Sequence, residues 1–120
     1  MKLTIKQQAV LDELRKIGRD NAYKYKESEH GACLYEEDCK SLLKGDSSCV
    51  FGMGGLTSQV GHRLGMTAGV VLGIFKALEC KGMVIRETRA PEYQRPLYWW
   101  PVGLAAELAV ELGLRCEVQS

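Results

Sequence analysis

The chain has 120 residues, 46% of them apolar, and carries 16 Lys and Arg against 15 Asp and Glu. That length predicts one domain with its own core, and that apolar fraction excludes a disordered or collagen-like chain. No apolar run approaches the roughly 18 residues of a membrane span, and the polar start Met1-Lys2-Leu3-Thr4 offers no signal-peptide segment. A cytoplasmic protein without membrane attachment is the expectation.

The net charge of +1 conceals an uneven distribution. Residues 1–56 hold nine basic and nine acidic side chains, residues 57–100 hold six and three, and residues 101–120 hold one and three. The middle of the chain is the electropositive part. Cys33, Cys39, Cys49, Cys80 and Cys116 form an odd set, which in a reducing cytosol reads as free thiols rather than disulfides.

In chain order, the first predicted element is a helix over 4–17. Thr4 and Gln7 stand at capping-box spacing, Ile5, Ala9, Val10, Leu14 and Ile17 share one face, and Gly18 is a natural stop. Residues 19–31 are polar and turn-rich. A second helical stretch covers 34–43, and 45–55 is a glycine-rich loop. Thr57 and Ser58 can cap a short helix ending near Leu64. Gly65 makes a turn, Thr67 can cap a longer helix over 67–80, and Gly82 stops it. Strand-like runs at 83–87 and 97–100 flank a connection kept irregular by Pro91 and Pro96. In the second run Trp99 and Trp100 should face opposite ways, one toward the core and one outward. An amphipathic helix over 103–112 closes the chain.

Two helices about a tight glycine turn, followed by a hairpin, form a winged helix-turn-helix pattern. Leu56-Thr57-Ser58 with Val60, Arg63-Leu64-Gly65-Met66-Thr67, Val71, Phe75, Leu78 and Lys81-Gly82-Met83-Val84-Ile85-Arg86 resembles winged-helix transcriptional regulators. The resemblance covers 56–100, and the first helix completes a three-helix core. It implies an α+β domain over 1–120 with a β-hairpin wing, an elaborated segment at 19–55 and a C-terminal helix at 103–112. It also implies a protein that binds double-stranded DNA. With two histidines and no Ser/His/Asp or Cys/His motif around either, an enzyme is not expected. Helix 67–80 would enter the major groove and wing 86–95 would track the backbone.

On that resemblance the nucleic-acid contacts are Thr57, Ser58, His62, Arg63, Thr67, Lys76, Arg86, Arg89, Tyr93, Gln94 and Arg95. The outward positions of helix 67–80 depart from the family pattern. Only Thr67 and Lys76 are polar there, so the helix lacks the Arg, Asn or Gln side chains of bidentate purine readout. The alternative is a protein-interaction module that uses the apolar side of this helix, with Val70 and Leu72 as contacts. Leu104, Leu108 and Leu112 on the last helix are candidate dimer contacts; covering the monomer core is their other use.

His30, Cys33, Cys39 and Cys49 offer four soft-metal donors close in sequence. They lack the close ligand pairs of a standard zinc site, so free thiols are the expectation and zinc or an iron–sulfur cluster the alternative. No cofactor is implied otherwise. Gly52-Met53-Gly54-Gly55 is followed by no lysine and reads as a connector, not a phosphate loop.

Overall fold

A computed structural model of the protein describes residues 2–27, 55–86 and 98–111. The elements are α1 (Ile5–Glu27), β1 (Gly55–Leu56), α2 (Thr57–Leu64), α3 (Ala68–Cys80), β2 (Val84–Arg86), β3 (Tyr98–Pro101) and α4 (Leu104–Glu111). The class is α+β. The expected helix over 34–43 and the loop over 45–54 lie outside the described residues. Among the described residues no helix is long and apolar enough to cross a membrane.

The capping box forms at the start of α1. The Thr4 amide donates to Gln7 Oε1 and the Gln7 amide donates to Thr4 Oγ1, both at 3.1 Å. The helix does not stop at Gly18, as the glycine suggested, but runs to Glu27. Gly18 and Ala22 are both buried, continuing the line set by Leu14. Tertiary packing there outweighs the roughly 1 kcal/mol by which an interior glycine disfavours a helix.

The α2–α3 corner is a backbone device. Gly65, at φ +66°, ends α2, and the Met66 amide returns 2.8 Å to the Gly61 carbonyl. Thr67 Oγ1 then caps α3 by accepting from the Val70 amide at 3.3 Å. The far end of α3 closes in a Schellman motif. The Gly82 amide bonds the Glu79 carbonyl at 3.0 Å and the Met83 amide bonds the Leu78 carbonyl at 2.9 Å, with Gly82 at φ +73°. That reversal lays β2 back beside α3.

The sheet is antiparallel in the order β1-β3-β2, with β3 central. Trp99 pairs with Gly55 on one side and Arg86 on the other. β1 was not expected as a strand. Its two residues are too few for a periodic pattern, and a Cβ on Gly55 would fall 2.4 Å from Leu14 Cδ1, so a larger residue there would require the leucine to move. The core joins Val10, Leu14 and Ile17 of α1 to Val60 of α2, to Val71, Phe75 and Leu78 of α3, and to Val84 and Trp99 of the sheet. Phe75 and Trp99 stack at 4.9 Å between centroids and 21° between planes. Both tryptophans are buried, which corrects the expectation that one would face outward. β3 is therefore covered on both faces. The Trp100 indole N–H has no hydrogen-bond partner among the described residues.

α4 turns Leu104 and Leu108 fully inward. Arg15, Arg19 and Tyr23, one turn apart on α1, meet Glu107 and Glu111, one turn apart on α4. Arg15 pairs with Glu107 at 2.5 Å, Arg19 spans Glu107 at 3.6 Å and Glu111, and the Tyr23 hydroxyl donates to Glu111. These pairs are water-exposed and weakened by screening, so leucine burial docks the helix and the pairs set its register. The Tyr23 hydrogen bond, then that of Arg19, holds the Glu111 carboxyl below the usual carboxylate range. The same bond to Glu111 pushes the Tyr23 phenol up. A depressed carboxylate stabilises the fold above its unfolded-state pKa and loses that contribution as pH falls through the folded value. A raised phenol stabilises below about 10 and loses it as pH rises through the folded value. The ladder is thus intact across the neutral range.

Two outcomes test this packing. Tyr23→Phe removes the largest cause of the Glu111 shift, so the Glu111 carboxyl titrates at higher pH in the variant, read from its side-chain carbon shift; an unchanged titration contradicts the ladder. Gly61→Ala sets a Cβ 2.7 Å from the Met66 carbonyl oxygen. It should lower stability by about 1–3 kcal/mol in urea unfolding, the usual cost of overpacking, and an unchanged midpoint contradicts the corner geometry.

Candidate nucleic-acid interface

α3 buries Val71, Phe75 and Leu78 along one side. The opposite side carries Gly69, Gly73, Lys76 and Cys80, which recur at helical spacing and are all exposed. Val70, at 48% exposure, stands beside the glycine line, and Ala68 is open at the helix start. A Cβ built on Gly69 or Gly73 meets nothing within 4 Å. At the widest point of this side the helix backbone itself forms the surface. Leu72, weighed as a contact, is half-buried and packs against the core.

Polar groups around this surface are few. Thr67 is exposed, with its hydroxyl oxygen engaged in capping α3. Ser58 and His62, one turn apart on α2, are exposed. Arg63 reaches back to Glu13 on α1 at 3.2 Å. Lys81 Nζ donates to Gln7 Oε1 at 2.9 Å. Lys76 makes no ion pair among the described residues and is the cation of α3's outward side.

Three expected contacts need correction. Thr57 is only 7% exposed, and its hydroxyl accepts the buried Trp99 Nε1–H at 3.0 Å. The residue holds the sheet to the start of α2 and offers nothing to a nucleic acid. Leu104 and Leu108 are fully buried and cannot form a dimer contact; α4's apolar side is already used against its own chain. Leu112 lies outside the described residues.

Arg86 sits where the wing was expected to begin, but its guanidinium is engaged. Nε and Nη2 bond the two Glu79 carboxylate oxygens at 2.7 Å each, and Cζ stands 5.6 Å from the Trp99 ring centre. The bidentate pair keeps the arginine charged, raising its already high pKa. Glu79 carried no functional signal in the linear sequence. Only the Gly82 reversal brings it opposite Arg86. The remaining expected wing residues, Arg89, Tyr93, Gln94 and Arg95, and the candidate metal donors His30, Cys33, Cys39 and Cys49, lie outside the described residues.

Comparison with protein-family models, with curated proteins and with solved structures found no match to this chain.

The role of Thr57 can be checked directly. Thr57→Val strands a buried indole N–H and should cost about 1–3 kcal/mol in urea unfolding, whereas Thr57→Ser keeps the acceptor and should cost much less. Equal stability of Thr57→Val and the parent contradicts the assignment.

Proposed function

We propose that the chain is a winged helix-turn-helix protein that binds double-stranded DNA as a cytoplasmic transcriptional regulator, with α3 in the major groove. The element order α1-β1-α2-α3-β2-β3 and the strand order β1-β3-β2 support the winged-helix reading. The observation that carries the binding site is the glycine line on α3. Neither Gly69 nor Gly73 has a positive φ, and neither has a neighbour that a methyl group would strike. Alanine at each would favour the helix by about 1 kcal/mol, so the fold itself gains nothing from these glycines. A helix that lies against another molecule does gain, because the missing side chains allow close approach. Residues 57–100 add a basic excess of six against three, which complements a polyanion.

The second reading is a module that docks another protein on the same side of α3. It is favoured by the pairing of Arg15, Arg19, Arg63 and Arg86 with carboxylates, which leaves the described surface with little net positive field.

Mobility shift of a short duplex separates them. A DNA-binding protein should retard the duplex at about 50 mM salt and lose affinity steeply toward about 200 mM as counterions are released. Arg89→Ala with Arg95→Ala should weaken that binding further. Absence of any shift at the lower salt overturns the DNA reading.

A further inference from the structure

We draw no further inference here: the strongest candidate, the buried Trp100 indole N–H on the central strand β3, is a single donor without a hydrogen-bond partner among the described residues, and nothing in the structure shows what it would bind.

Discussion

The arrangement depends on Trp99. Its backbone is the crossing point of the sheet, opposite Gly55 of β1 and Arg86 of β2. Its ring stacks on Phe75 of α3, its N–H is fixed by Thr57 at the start of α2, and the Arg86 guanidinium stands over it. One buried side chain thereby links the sheet, both helices of the α2–α3 corner and the base of the β2–β3 connection. A shift of Trp99 would move α3 relative to everything that flanks its outward side.

With that inner side fixed, the outward side of α3 is free to be poor in side chains. Gly69 and Gly73 weaken the helix locally, and Val71, Phe75 and Leu78 compensate from the core side. A local preference broken without any packing reason marks the place where the sequence answers to something other than its own stability. The electrostatics are consistent with a restrained surface. Arginines on α1, α2 and β2 are each held by a carboxylate of another element, so they contribute to shape more than to field.

Local chemistry was legible in the sequence where it acts within a few residues. Thr4 with Gln7, Gly65, Thr67 and Gly82 each do what their type and position indicate, and the α2 and α3 boundaries follow from them. What was not legible depends on distant partners. Gly18 looked like a stop until Ala22, Arg19 and Tyr23 were seen to have contacts that carry α1 onward. Thr57 looked like an exposed cap until the Trp99 indole occupied it. Leu104 and Leu108 look the same in sequence whether they face a partner or their own core. Arg86 looked available because Glu79, on the preceding helix, faces it only after the chain reverses. Of the candidate site, the scarcity of polar groups on α3 is legible directly, while the exposure of its glycine line depends on which side of the helix packs against the core.

The most direct measurement is the backbone amide spectrum of the full chain during titration with a short duplex. On this account the amide signals of Gly69, Val70, Gly73 and Lys76 move first and furthest, and those of Arg15, Arg19 and Glu107 stay in place. Shifts that instead gather on the α1–α4 ladder, or a spectrum the duplex leaves untouched, would contradict the assignment of α3 as the contact surface.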